Sequence, residues 1–177
     1  QASTLTLGLA GTPGSQTYVK GTKNVNVVGI TVAANQASQL KVSDITLTGY
    51  ASDDTTTFDE GTDVTDTAVS VANAMTSFRL VEAESGNTIA DSTKITTNSL
   101  STQNTGTVKF SFTGTPWVIA AGATKTMLVK VDLSTNAASG TAGDAYSFDI
   151  ANTANVTATD DASNTVNAGN QVVNGTT

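Results

Sequence analysis

A two-residue rhythm of apolar and polar side chains begins at Leu5–Thr6–Leu7–Gly8–Leu9 and returns along most of the 177 residues; it is what most narrows the folds open to this chain. Successive side chains of a strand point to opposite faces, so such a rhythm marks strands with one face buried. In TYVKGTKNVNVVGITVAA, Val25 and Val27 hold one phase, whereas Val28, Ile30 and Val32 hold the other. The slip predicts a β-bulge, and the change from Leu40 and Val42 to Ile45 and Leu47 predicts a second. An Ala-rich run before Phe78 suits one short helical turn. Phe78 and Leu80 then lead into a turn at ESGN, and Thr88 and Ile89 return as a hairpin.

Farther on, Val108, Phe110 and Phe112 alternate, as do Met127 or Leu128 with Val129 and Val131, which predicts core strands in facing sheets. Tyr146, Phe148 and Ile150 mark another strand, with weaker ones around Val156, Val166 and Val172. Strands recurring about every 8–15 residues between Gly, Asn and Asp turns predict an all-β fold. The expected architecture is one antiparallel β-sandwich domain over residues 1–177, two sheets with little or no helix. Its core is expected to hold Leu7, Ile30, Ile45, Leu47, Leu80, Phe110, Phe112, Val129, Val131, Phe148 and Ile150.

Composition supports this and removes whole classes of function. Thr makes up about a fifth of the residues, and a β-branched polar side chain suits a pleated, half-exposed surface better than a helix. Eight Lys and Arg against fifteen Asp and Glu give a net charge of -7, the wrong sign for gripping phosphate, so no nucleic-acid partner is expected. The chain has neither Cys nor His, which excludes thiol nucleophiles, imidazole bases, His-dependent triads and the usual zinc ligand sets. No apolar stretch approaches the roughly 18 residues of a membrane span. A weakly charged, Thr-, Ser- and Asn-rich polarity is that of an extracellular protein, and the start at Gln1 reads as a mature form left after signal removal, a trimmed chain being the alternative.

The runs VNVVGITVAANQASQLKVSDITLTGY, TSFRLVEAESGNTIADS and WVIAAGATKTMLVKVDLS resemble the immunoglobulin-like β-sandwich modules of bacterial and archaeal cell-surface proteins. The resemblance extends over residues 3–150 and rests on a phrase pattern, a strand, an IAAGATKT turn and an amphipathic LVKVDL strand, without a catalytic motif. It implies an immunoglobulin-like sandwich without an enzyme site, of the kind found in surface layers, adhesins and filament subunits. The departure from it is the acidic insertion at residues 53–66.

That insertion, DDTTTFDEGTDVTD, gathers Asp53, Asp54, Asp59, Glu60, Asp63 and Asp66. Six carboxylates suit Ca2+, which takes six to eight oxygen ligands. Read as an EF-hand from Asp59, however, the stretch has Val64 where Gly is required and Ser70 where the bidentate Glu belongs, so only an irregular calcium site remains, beside the alternative of a solvated acidic loop. No cofactor is required on either reading. A glycosidase pair would have to draw on Glu60, Glu82 and Glu84; the last two flank a hairpin turn and read as a solvated strand end. Trp117 and Tyr50 could stack on sugar, although a Trp after Pro116 and before VIAAG reads as core. Asn155 and Asn174 open N-x-Thr glycan acceptor patterns.

These readings converge on a non-enzymatic, secreted structural protein, a homopolymer subunit of an extracellular filament or surface layer; the alternative is an adhesion or carbohydrate-binding module, calcium-stabilised if the acidic run binds metal. QASTLTLGLAG does not resemble the long apolar N-terminal helix of type IV pilins and archaeal flagellins. Residues 1–10, with their stripe of Leu5, Leu7 and Leu9, instead suit β-strand donation to a neighbour, against the alternative that they complete their own sheet. Chelation separates the readings of the acidic run: a bound Ca2+ stabilises the folded state, so the melting temperature falls in EDTA, whereas a solvated loop leaves it unchanged.

Overall fold

The computed structural model describes residues 2–52, 71–100, 105–135 and 145–172. The alternation becomes two facing sheets, and every pairing between the strands named below is antiparallel. One sheet runs in the order β1 (Leu5–Leu9), β2 (Val25–Ala34), β9 (Thr124–Leu133), β4 (Met75–Glu82), β5 (Thr88–Ala90). The other runs β12 (Thr165–Asn167), β11 (Val156–Asp160), β3 (Leu40–Ser52), β7 (Thr105–Ser111), β6 (Ile95–Asn98), with β8 (Trp117–Ile119) and β10 (Ala145–Asp149) also paired to β3. The chain is thus an all-β sandwich. Its α-helix among the described residues is one turn, α1 (Val71–Ala74), in the Ala-rich run, where it buries Val71 and Ala74.

β3 is the spine of its sheet. On one flank it pairs with β11 over Leu40–Ile45 and with β10 over Thr48–Ser52; on the other it pairs with β8 over Leu40–Val42 and with β7 over Asp44–Tyr50. Each flank is therefore a single run of chain that breaks once and resumes. The expected bulge lies at Ser43, where the register with β11 slips between Thr157 and Ala158, so Val42 and Ile45 both turn inward. The kink is held by the Phe112 N–H donating to the Ser43 carbonyl at 2.8 Å and by the Ser43 and Ser111 hydroxyls donating to the Asp44 carboxylate at 2.7 and 2.8 Å. The other expected bulge appears in β2, where the register with β9 jumps from Asn26 to Val28.

Both inner faces meet in one core. Every residue expected there is buried, and Phe110 and Phe112 from β7 and the turn after it join Met127, Val129 and Val131 of β9 in it. Met127 rather than Leu128 takes the inward phase. Phe148 sits directly opposite Gly49, where a Cβ would stand 2.9 Å from the ring, and packs edge-on against Phe78 at 5.9 Å between centroids. Gly29 serves a different contact: the connector leaving β1 lies flat across β2, Ala10 N–H donates to the Gly29 carbonyl, and a Cβ at Gly29 would stand 2.3 Å from the Thr12 oxygen.

Two substitutions test this packing by chemical denaturation. Phe110→Ala removes a fully buried ring and should cost about 3–5 kcal/mol. Gly29→Ala, a one-methyl change with little effect on an open surface, should cost about 1–3 kcal/mol because backbone must move.

Candidate functional site

Glu82, which closes β4 at the edge of the sandwich, is a buried carboxylate that receives donors from both sheets. Along β4, Phe78, Leu80 and Glu82 share the inward phase; along β9, Lys125, Met127 and Val129 do the same. Two opposite charges thus stand on the core-facing side of adjacent strands, near their ends. Lys125 donates to Glu82 Oε1, Ser85 from the following turn donates to Oε2, and the indole of Trp117 donates to Oε1 at 3.0 Å from β8 in the opposite sheet. The turn itself is fixed by Glu82 N–H to Asn87 O at 2.9 Å and Gly86 N–H to Glu82 O at 2.8 Å, with Gly86 at positive φ. One carboxylate therefore ties both sheets together.

The reading of Glu82 as a solvated strand end is corrected by this geometry. The residue is only 9% exposed, and it lies on the core phase with a cation and an indole to receive it. The bonds from Lys125 first, then from Ser85 and Trp117, hold its pKa down to about 2 against an ordinary 4.5. The signal was present in the sequence as Glu82 in phase with Leu80 and Lys125 in phase with Met127; neither strand explains its charge without the other. Glu84 does lie at the surface, accepting a bond from Thr126 N–H at 2.8 Å. Trp117 is core, as expected, and Tyr50 is half-buried on β3.

A cleft of about 290 Å³ opens beside this cluster, between the hairpin of β4 and β5 and the strand β8. Asn87, Thr88 and Ile89 line one side, Pro116 and Val118 the other, and the Glu82–Lys125 pair its floor. The chemistry is that of hydrogen-bonding groups, the Glu82–Lys125 ion pair among them, around a small apolar wall.

Other carboxylates play the same kind of part. Asp132 of β9 accepts the Asn24 N–H and an Arg79 Nη2 bond, each at 2.8 Å, joining β9 to the start of β2 and to β4; the Asn24 bond and the Arg79 charge hold its pKa low. Asp44 is pushed up by partial burial, but the Ser43 and Ser111 hydroxyls and Lys109 outweigh that and leave it low. Asp160 is lowered by the Asn164 side chain and backbone and by Ser3, so it ties the turn after β11 to the residues preceding β1.

Of the other expected site residues, Leu5 and Leu7 are buried on β1, while Leu9 at its end is 49% exposed, so the apolar stripe narrows to two side chains. Asn155 ends a 3-10 turn just before β11 and is half-buried. Asp53, Asp54, Asp59, Glu60, Asp63, Asp66 and Asn174 lie outside the described residues. Among the described residues no three acidic side chains converge as a metal site needs, and no helix is long and apolar enough to cross a membrane. No protein-family model matches the chain, and no curated protein matches it.

Because ionised Glu82 is the bonded form, its contribution to stability is complete above about pH 4.5 and is lost as pH falls towards 2. Glu82→Gln should therefore be less stable than the parent by about 1–3 kcal/mol at pH 7. That gap should close in acid, as read from urea melts across the pH range.

Proposed function

We propose that the chain is a non-enzymatic structural protein, secreted and assembled with identical copies into an extracellular filament or surface layer. The observation that carries this reading is the use made of the carboxylates. Asp44, Glu82, Asp132 and Asp160 each join segments distant in sequence, and each is held below its ordinary pKa by the donors bonded to it. A general acid needs the opposite shift, towards neutrality. Charge in these positions serves cohesion, and a Thr-rich, weakly charged exterior suits close packing of copies. Ca2+ bound by the acidic run and glycan on Asn155 or Asn174 remain compatible additions to this role.

A second reading, a carbohydrate-binding or adhesion module, draws on the cleft beside Trp117, where Asn87, Thr88 and Ile89 offer the mixed polar and apolar wall that a sugar ring uses.

Negative-stain microscopy of the native protein separates the two: regular fibres or lattices are expected for the structural role, dispersed particles that bind insoluble polysaccharide for the module. Assays on glycans, esters and peptides should show no turnover above background. Activity that disappears on replacing Glu60, Glu82 or Glu84 would overturn the non-enzymatic reading.

A further inference from the structure

The strand β1 does not lie at an open sheet edge. One side pairs with β2 from Leu5 opposite Ala34 to Leu9 opposite Ile30. The other side meets the segment after β12: Leu5 forms a parallel bridge with Ala168, and Gly169 N–H donates to Leu5 O at 2.8 Å. One residue on, a side chain takes over from the backbone. The Leu7 N–H donates to Asn170 Oδ1 at 2.8 Å, and Asn170 Nδ2 donates to Leu7 O at 2.6 Å. A carboxamide presents the same donor and acceptor as a peptide group, so Asn170 continues the ladder at one defined position. β1 therefore occupies a slot paired along β2 on one edge and bonded at Leu5 and Leu7 on the other, with Leu5 fully buried and Leu7 4% exposed.

Resting on the polymer reading above, we infer that this slot also accepts β1 of a second copy of the chain, and that the Asn170 carboxamide sets the register in which the incoming strand docks. The segment that fills the slot belongs to every copy, so a second copy carries the matching occupant. Exchanging identical strands preserves the contacts of β1 itself, so what opposes it is the release of the connector's few bonds to β2 and β9. β1 is joined to β2 by residues 10–24, a connector that could reach about 50 Å if drawn out. The exposed apolar side chains are also concentrated there: Leu9, Tyr18 and Val19 on β1 and its connector are three of the four large hydrophobic residues exposed among the described residues, the fourth being Val118. A connector that crosses to a neighbour covers such groups; one that folds back on its own domain leaves them wet, Val19 at 78% exposure.

The absence of Cys makes a direct test available in the full chain. Thr6 and Ala33 are directly opposed on β1 and β2, at a Cα spacing of about 4.5–5.5 Å that suits a disulfide. A Thr6→Cys, Ala33→Cys chain, assembled and then oxidised, should run as a ladder of covalent multimers on a non-reducing denaturing gel. A Thr31→Cys, Thr126→Cys control, opposed within β2 and β9, should stay monomeric. Adding Asn170→Ala to the Thr6→Cys, Ala33→Cys chain removes the bonds that fix the register of the docked strand, so positions 6 and 33 should oppose each other less often and the yield of covalent multimers should fall at least about tenfold. Polymers whose Thr6→Cys, Ala33→Cys disulfide is entirely intrachain would overturn strand donation while leaving the polymer reading intact. Absence of any polymer overturns both; an undiminished yield of covalent multimers with Asn170→Ala overturns the role of the carboxamide, as does undiminished hydrogen-exchange protection of the Leu7 amide in Asn170→Ala polymers should the double-cysteine chain fail to fold.

Discussion

The double ladder along β3 is the constraint on which the rest of the sandwich depends. A strand of 13 residues, at about 3.3 Å per residue, is longer than either neighbour on each flank can accompany without interruption. The chain meets this by running β7 and β8 up one side, parted at Ser43, and β10 and β11 up the other, parted between Ile45 and Thr48. The kink turns both halves of β3 inward, so Leu40 and Val42 join Ile45 and Leu47 in one core. The breaks release the loops that carry Phe112 and Ile150 into that core. Without the bulge, a strict two-residue phase would send half of the strand's apolar residues to solvent.

A second principle is that this lightly charged protein uses its acids between strands. Isolated surface ion pairs contribute little, because solvent screens them and long side chains resist being fixed. Glu82 and Asp132 differ in receiving several donors each, some from backbone or indole groups that are already immobilised by the fold. Their bonds therefore cost less ordering entropy than a pair of free side chains would. They also fall at strand ends, where the ladder itself is weakest.

How much of this was legible in the sequence depends on the range over which the determining interaction acts. The bulges at Asn26–Val28 and Ser43 could be read because a phase slip is local, and the placing of β7 and β9 in two different sheets followed from two strongly alternating runs. Strand pairing was not legible: nothing near Ile45 indicates that Val156 lies beside it. Glu82 was misread because a charge next to an ESGN turn resembles solvent-facing polarity until Lys125, on the same inward phase of another strand, is set against it. The part played by Asn170 was hidden for a further reason. In NAGNQ it has the look of a turn residue, and only tertiary contact shows a side chain standing in for a peptide group. For the acidic run at residues 53–66, the chemistry of six carboxylates is as far as the reading goes.

The contact between β1 and residues 168–170 has a mechanical side. The two segments run parallel, one near each end of the described chain, so tension that enters through β1 and leaves beyond Val172 pulls them in opposite directions along their length. The bonds from Gly169 to Leu5 and between Asn170 and Leu7 are then strained together, in shear, instead of opening one after another as a peeled hairpin does. A domain fastened in this way yields abruptly and at higher force than its modest number of bonds would suggest, and the Asn170 carboxamide sits where that force concentrates.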